Sequence, residues 1–463
     1  MKKLLIIATL AAVGMGACSK DDGVSAPEDL RKYVQVTIPE NAASGETRTS
    51  VDGTTTSWVA GYKVAVSLYN GSTTEVCEFT VDRTGATTTF SGSVPVGSYT
   101  CAAVHYPFCA ATFDAVNKTF THTWGDAYCS TDLAAYDFMF STVYETPFVV
   151  DETTTVLPIA LTFRPLMARI GMKLALGANE TPKYVTFTTD DNVLPTAGTV
   201  NADGTFSASA LTNSLTVETD RKEFTVGLLP VGAASKMSVH VTTDGMTYSD
   251  KSFQLAGLKR NTHYTMNVPC RTKRFMLTVP DGVNSKYGTG TYGDNGFFQV
   301  EPQYDPESIF DGWHFLRSEI KSDKDAADGD VLKNRNRIQL QAVSLGTNRA
   351  QNGAFVTPPI QCDGTKTVTV SFTAATNKLT VGSVQYRIGV TNNGADISED
   401  FLRSFDNIQS SLEGECPWKH SGSVSRTHTF TVTNGQRIMM KVYSSGGGTP
   451  CHLELADFTY TVE

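Results

Sequence analysis

The sequence lacks the motifs of the common enzyme classes. It contains no HExxH zinc motif, no GxSxG nucleophile motif and no P-loop, and its eight histidines are scattered along the chain. Its nine cysteines form no CxxC pair and no Cys/His spacing typical of a zinc site. Paired carboxylates for glycoside hydrolysis are a tertiary property, so a carbohydrate-active enzyme stays a minor alternative. We predict a protein that is not an enzyme and needs no cofactor.

An excess of positive charge is also missing. The chain has 38 Lys and Arg against 47 Asp and Glu, for a net charge of -9, which excludes nucleic acid as a favoured partner. Stretches rich in Ala, Leu, Glu and Lys, typical of long helices, are scarce, whereas Thr, Ser and Gly are abundant. With 463 residues, the chain is predicted to be all-β and to contain about three domains.

A long apolar run is absent too, and the one short run lies at the N-terminus. Two lysines precede the ten residues Leu4–Val13, as in an export signal, and ten residues are too few to span a bilayer. Met15-Gly16-Ala17-Cys18 resembles a lipobox, with lipidation at Cys18; cleavage of an ordinary signal after Ala17 is the alternative. We predict a signal peptide over 1–17, a tether over 18–32, and an exported protein anchored by lipid in the outer membrane at the cell surface.

The sequence pattern of the rest of the chain predicts β-strands. Val34, Val36 and Ile38 alternate with polar residues, and similar β-branched or aromatic runs recur between Gly, Asn, Asp and Pro positions. A basic stretch at 271–274 marks a boundary, after which residues 275–463 are predicted to form a jelly roll. Within it we expect a short loop helix around 399–408 and a hairpin turn at Asn434-Gly435.

Eight cysteines remain besides Cys18. An even number in an exported chain permits up to four disulfides, and the sequence cannot choose among the pairings. Reduced core residues are the alternative. The eight are Cys77, Cys101, Cys109, Cys129, Cys270, Cys362, Cys416 and Cys451.

Two stretches carry a family resemblance. Residues 47–53 (Thr-Arg-Thr-Ser-Val-Asp-Gly), followed by 56–66 around Trp58, resemble the opening of the fimbrillin family, lipoprotein subunits of the type V pili of Bacteroidales. Residues 161–170 are similar to the start of that family's second domain. The resemblance implies two transthyretin-like β-sandwich domains, which we place at 33–160 and 161–272.

The resemblance also implies how the protein assembles. A precursor is cut after an arginine near its N-terminus, which removes the first strand, and a strand from a neighbouring pilus subunit fills the groove. Arg48, with Thr49 after it, fits this processing site because it follows the strand at 34–38. An exposed loop arginine without such a role is the alternative.

The C-terminal region departs from stalk subunits, which end in donor strands. Residues 353–360, ahead of 367–372, resemble galactose-binding-like jelly rolls of carbohydrate-binding proteins. The combination indicates a tip subunit that binds a glycan or a host ligand. The alternative is a membrane-anchored surface glycan-binding lipoprotein that does not polymerise.

Candidate ligand-binding residues follow from the chemistry of sugar sites, which combine aromatic platforms with polar side chains. They flank Gly or Pro positions, and core packing is the competing interpretation for each tryptophan. They are Trp313, His314, Arg335, Arg337, Trp418 and His420.

Four acidic residues form a secondary candidate site. Asp323, Asp325, Asp328 and Asp330 supply oxygen ligands for calcium, but their spacing is not that of an EF-hand loop. A solvated acidic loop is the competing interpretation, and we predict that the protein binds no metal.

Overall fold

The chain is almost entirely β-structured in the computed structural model. The structure describes residues 30–38, 58–277, 284–287, 297–299, 312–321, 332, 335–342, 352–377, 383–417, 422–445 and 451–463, without positions 86, 202, 233–234, 245 and 393. Within these ranges the regular structure consists of strands and two short helices. The predicted all-β class is confirmed, with strands arranged in sandwich layers.

The N-terminal part holds one large sheet and a smaller hairpin layer. Its elements are β1 Arg31–Ile38, β2 Lys63–Tyr69, β3 Thr74–Val81, β4 Thr88–Pro95, β5 Gly97–Tyr99, β6 Cys101–Tyr106, β7 Thr112–Asp114, β8 Thr119–Thr123, α1 Leu133–Tyr136, β9 Met139–Ser141, β10 Phe148–Val150 and β11 Phe163–Pro165. Seven of the described strands form a sheet in the order β1-β4-β3-β2-β6-β9-β11, and β5 pairs with β10.

The middle part follows without a clean break. Its strands are β12 Ala168–Leu174, β13 Tyr184–Thr189, β14 Leu194–Asn201, β15 Phe206–Thr212, β16 Ser214–Glu218, β17 Glu223–Leu228, β18 Ser235–Thr242, β19 Thr247–Leu255 and β20 His263–Val268. β14 pairs with β8 from the N-terminal part, giving a sheet in the order β15-β14-β8-β7. One apolar cluster accordingly contains Phe120 and Phe140 together with Ile170 and Val226.

The C-terminal part is a two-sheet sandwich. Its elements are β21 Lys273–Met276, β22 Asn284–Tyr287, β23 Phe297–Gln299, β24 His314–Leu316, β25 Ser318–Lys321, β26 Arg337–Ala342, β27 Ala354–Val356, β28 Thr365–Asn377, β29 Ser383–Val390, α2 Glu399–Arg403, β30 Gln409–Pro417, β31 Val424–Thr433, β32 Ile438–Ser445 and β33 Cys451–Val462. One sheet has the order β23-β24-β27-β32-β29-β30, and the other centres on β33. Apolar residues of both sheets meet in one core.

Strand β21 joins the middle and C-terminal parts. On one side Lys273 and Arg274 pair with Tyr248 and Thr247 of β19, and on the other side β21 pairs with β33 along its whole length. The sheet of β16, β13, β18 and β19 in the middle part is therefore continuous, through β21, with the sheet of β33 in the C-terminal part.

A buried ionic network lies at this junction. The Lys273 Nζ atom lies 3.0 Å from Glu180 Oε1 and 3.5 Å from Asp244 Oδ1, with all three side chains at most 7% exposed. Lys273 also donates a hydrogen bond to the Gln361 carbonyl, and Tyr248 donates one to Glu180. The Gln361 N–H in turn donates to Asp244 Oδ2 at 2.8 Å. This buried network therefore combines groups of the middle part with groups of the C-terminal part.

Two local expectations of the C-terminal part have different outcomes. The short helix is confirmed as α2, which Ser398 caps through its hydroxyl. The hairpin at Asn434-Gly435 is wrong, because β31 pairs with β28 whereas β32 pairs with β27 and β29. Gly435 has a φ of +84°, so the turn does require a glycine, but it carries the chain between opposite sheets. Residues on both strands face the same core, which favours the crossover over pairing.

The cysteines described with their side chains are thiols. None of the seven forms a disulfide, and six are buried. The reduced-core interpretation fits them, while the side chains of Cys18 and Cys451 lie outside the description.

Candidate functional site

Strand β1 occupies a slot with backbone partners on both edges. It pairs antiparallel with β4 from Arg31 opposite Pro95 to Ile38 opposite Thr88. On the other edge, the Gln35 N–H donates to the Thr155 carbonyl at 3.0 Å, and the Leu157 N–H donates to the Gln35 carbonyl at 2.8 Å. The strand is inserted between two parts of the N-terminal sandwich.

The side chains of β1 alternate between core and solvent. Val34 and Val36 are fully buried and pack in the cluster of Trp58, whereas Tyr33 is 65% exposed. Burial of a valine side chain contributes about 1.5–3 kcal/mol. Burial of Val34 and Val36 is therefore the main apolar interaction that holds this strand. We call the two sites that receive these side chains the apolar seats, and an incoming strand with the same alternation could fill them.

The first residues of β1 make polar contacts beyond β4. The Arg31 guanidinium lies 3.3 Å from the Glu75 carboxylate and donates to the Ser93 carbonyl at 3.2 Å and to Cys77 Sγ at 3.4 Å. The Lys32 ammonium donates to the Glu152 carbonyl at 2.6 Å. Burial raises the pKa of the Cys77 thiol to about 11, against the lowering influence of Arg31. Cys77 is thus an unreactive thiol while β1 is in place.

The predicted processing and anchoring residues lie outside the described residues. These are Cys18, Arg48 and Thr49. β1 ends at Ile38 and the description resumes at Trp58, so Arg48 falls in the connection between the removable strand and the rest of the sandwich.

The structure places Trp313 in the core of the C-terminal sandwich. Its side chain is 0% exposed, and its ring centroid lies 5.1–5.7 Å from those of Phe275, Phe315 and Phe355. A sugar platform needs an open ring face, and the faces of Trp313 contact other aromatic rings. The competing interpretation, core packing, fits this residue.

The other predicted ligand residues do not converge. His314 is 6% exposed on β24, and burial, together with Arg437, lowers its pKa to about 4. Arg337 is fully buried on β26 of the opposite sheet and donates to the Leu332 carbonyl at 3.0 Å. Arg335 is 39% exposed and forms an ion pair with Asp457. Trp418 and His420 lie outside the described residues.

Sequence reasoning missed a cluster on the outer side of the six-stranded sheet. The Arg387 guanidinium lies 5.5 Å from the centre of the Phe405 ring and 5.1 Å from that of Tyr443, and it pairs with Glu413 at 2.8 Å. Lys441, fully buried, lies 5.2 Å from the Phe405 ring. The signal was the alternation along β29 and β32, which places Arg387, Lys441 and Tyr443 on the face opposite the core.

Metal ligands do not cluster in the part of the chain that the structure describes. No group of three or more His, Cys, Asp or Glu side chains there is placed to hold an ion. The calcium candidates Asp323, Asp325, Asp328 and Asp330 fall outside that part. Over the same residues, no helix has the length and apolar character needed to cross a bilayer.

Comparison with solved structures finds several adhesion proteins. A putative cell adhesion protein from Bacteroides uniformis is 17% identical, covering 52% of this chain and 93% of its own, with a TM-score of 0.34. The C-terminally truncated tip fimbrial protein Mfa3 from Porphyromonas gingivalis is 11% identical, with 54% and 96% coverage and a TM-score of 0.27. A CBM4 structure is 13% identical, with 41% and 87% coverage and a TM-score of 0.20.

A family model gives the stronger result. No curated protein matches the chain. The fimbrillin-like model matches residues 47–280, which is about half of the chain and includes most of the N-terminal and middle parts. The protein therefore belongs to the fimbrillin-like family, whose members are structural pilus and adhesin subunits of the cell surface rather than enzymes.

Proposed function

We propose that the protein is the tip subunit of a surface pilus. It is cut after Arg48, loses β1, and accepts a strand of the next subunit in the vacated slot. The C-terminal sandwich then binds a glycan or a host ligand. The observation that carries the proposal is the placement of β1, which has backbone partners on both edges and two buried valines.

Strand exchange is supported by how β1 is held. It contributes the buried Val34 and Val36 but otherwise interacts through backbone hydrogen bonds and surface charges. These are interactions that any strand of similar alternation can reproduce. Loss of the strand would expose the apolar cluster around Trp58 to solvent. Reburial of this apolar surface would favour binding of a replacement strand.

The tip assignment is supported by β33. This strand pairs with β21 and β28 near one end and with β26 and β28 near the other, so it lies inside the sheet. Donating it to a neighbour would break the sheet of the C-terminal part. A subunit that receives a strand and keeps β33 fits the end of a fibre.

Ligand binding is supported by the cluster of Arg387, Phe405, Tyr443 and Glu413. It presents partly exposed aromatic rings and charges on the sheet face that lies opposite the core. Glycan-array binding by the full chain tests this part. Loss of binding in Arg387→Ala, with retention in Arg83→Ala, supports the location; absence of binding by the wild type contradicts a glycan ligand.

Processing is tested by N-terminal sequencing of the protein purified from cells. A mature N-terminus at Thr49, lost in Arg48→Ala and kept in Arg83→Ala, is the expected result. Arg83 is a matched control because it is another exposed arginine in the N-terminal part.

Strand exchange is tested by alkylation of Cys77. In the processed protein, release of β1 should make Cys77 reactive, and binding of a replacement strand should protect it again. Val34→Asp should accelerate labelling, whereas Tyr33→Asp, at an exposed position, should not. Equal labelling of uncut, cut and variant proteins would contradict strand exchange.

A membrane-anchored surface glycan-binding lipoprotein that does not polymerise is the second candidate. Met15-Gly16-Ala17-Cys18 favours it, because a lipid on Cys18 would hold the uncut chain in the outer membrane. A lipidated Cys18 as the sole mature N-terminus would support this candidate against the tip subunit.

A further inference from the structure

The two apolar seats of β1 cannot by themselves define the register of an incoming strand. Side chains alternate with a period of two, so a one-residue slip would turn the apolar side chains to solvent. A two-residue slip keeps them facing the core. Val34 and Val36 lie on one face of β1, so an incoming strand with three or more alternating apolar residues would fit in more than one register.

Arg31 removes this ambiguity. Its guanidinium reaches Glu75 on β3, across the intervening strand β4, and also contacts the Ser93 carbonyl and the Cys77 sulfur. A slip of two residues moves the arginine by about 6.6 Å, beyond the reach of Glu75 in the same geometry. Only one register therefore combines the charge contact with both apolar seats.

The contacts also distinguish arginine from lysine. The guanidinium Nη1 atom points at the carboxylate while Nη2 donates to two other acceptors, which uses the planar fork. A lysine ammonium is a single compact charge and cannot occupy the same three positions at once. Lys32 makes a different contact, with the backbone carbonyl of Glu152.

We propose that Glu75 selects the strand that replaces β1 by requiring an arginine three residues before the first of two alternating β-branched residues. This inference rests on the proposed strand exchange and specifies its partner, an extended segment of the form Arg-x-x-β-x-β, where β is a β-branched residue. The Glu75 contact fixes the register, and the apolar seats supply most of the affinity.

A peptide-exchange experiment tests the proposal. The full chain carries a sequence-specific protease site at Arg48, is cut there, and keeps β1 bound non-covalently. A labelled peptide of residues 31–38 competes for the slot, alongside its Arg31→Met, Arg31→Lys and Lys32→Met variants. Lys32→Met is the matched control because it removes the same charge from the adjacent residue.

The expected results form a double-mutant cycle. Arg31→Met should weaken binding about two- to fivefold, as for a partly exposed ion pair, and Arg31→Lys should recover only part of it. In Glu75→Gln protein the Arg31 effect should shrink to the part that the Ser93 and Cys77 contacts contribute, while the Lys32 effect should remain unchanged. Cysteine cross-linking of bound peptides should show a single register in wild type and mixed registers in Glu75→Gln.

Two negative results of this experiment would contradict different proposals. If the native peptide never replaces β1, the proposed strand exchange is wrong. If it replaces β1 and Arg31→Met binds equally well in one register, then exchange stands and selection by Glu75 is wrong.

Discussion

The ammonium group of Lys273 lies 3.0 Å from the carboxylate of Glu180, and both side chains are almost completely removed from solvent. Lys273 begins β21, the strand shared by the middle and C-terminal parts. Removing one partner leaves an uncompensated buried charge, which commonly costs about 3–5 kcal/mol. The stability of the C-terminal part therefore depends on Lys273, which lies at its boundary with the middle part.

Lys273→Met should destabilise the protein by about 3–5 kcal/mol, because Glu180 and Asp244 would keep their charges without the ammonium group. The free energy of unfolding from urea titration measures the effect. Lys173→Met is the matched control, since Lys173 pairs with Glu223 at 2.7 Å with both side chains well exposed, and it should cost at most about 1 kcal/mol. Similar costs for the two variants would contradict the importance of the network.

Glu180 should make the stability depend on pH in the acidic range. Burial raises the pKa of Glu180, but the Tyr248 hydroxyl, the Lys273 ammonium and the Gly177 N–H together lower it below its usual 4.5. The unfolded chain then takes up the proton first as the pH falls. The stabilisation is present above about pH 4.5 and is lost as the pH falls through the folded value.

The test is the stability of Glu180→Gln relative to wild type, followed by chemical denaturation across the acidic range. The variant should be less stable at neutral pH, and the difference should shrink below about pH 4.5. A difference that is independent of pH would contradict an ionised Glu180 in the folded protein.

Lys441 should make the stability depend on pH in the neutral to alkaline range. Burial, followed by repulsion from Arg403 and Arg317, lowers the pKa of Lys441 from 10.5 to about 7. Above that value the unfolded chain binds a proton that the folded chain does not, so stability rises with pH, by up to about 1.4 kcal/mol per pH unit.

Lys441→Met should abolish this rise between about pH 7 and pH 9, and the exposed Lys236→Met should preserve it. The measurement is the free energy of unfolding at several pH values. An equal slope in Lys441→Met and wild type would show that another group titrates.

Gly92 should not tolerate a side chain. A Cβ atom there would lie 2.4 Å from the Phe79 ring and 2.6 Å from the Glu78 carbonyl oxygen, in the sheet directly beside β1. Gly92→Ala should cost about 1–3 kcal/mol through overpacking and should accelerate alkylation of Cys77. Gly232→Ala, where the same atom would meet nothing within 4 Å, is the control. Unchanged melting and labelling in Gly92→Ala would contradict the tight packing.

Local patterns predicted the strands better than their partners. The alternation at Val34 and Val36 correctly indicated β1 with its buried face, because a half-buried strand leaves that pattern in the sequence. The Asn434-Gly435 turn did not form a hairpin, because a turn signal carries no information about which sheet the next strand joins. The pairing of β8 with β14 depends on packing between distant segments and left no local signal.

The candidate site was predicted unevenly for the same reason. Trp313 and His314 were chosen by residue type, but the alternation on β24 does not reveal that both faces of the sheet are covered at this strand. Lys273 and Glu180 are far apart in sequence, so their buried pairing could not be predicted from either neighbourhood. The Arg31 contact with Glu75 likewise crosses one strand of the folded sheet.

The position of β33 sets an order of events in folding. β21 enters its sheet by pairing Lys273 with Val462, and β26 pairs Arg337 with Ala456, so both wait for residues translated much later. Contacts between such distant segments form slowly. The C-terminal sandwich therefore cannot close until β33 has been synthesised, so the sheet that joins the middle and C-terminal parts is completed last.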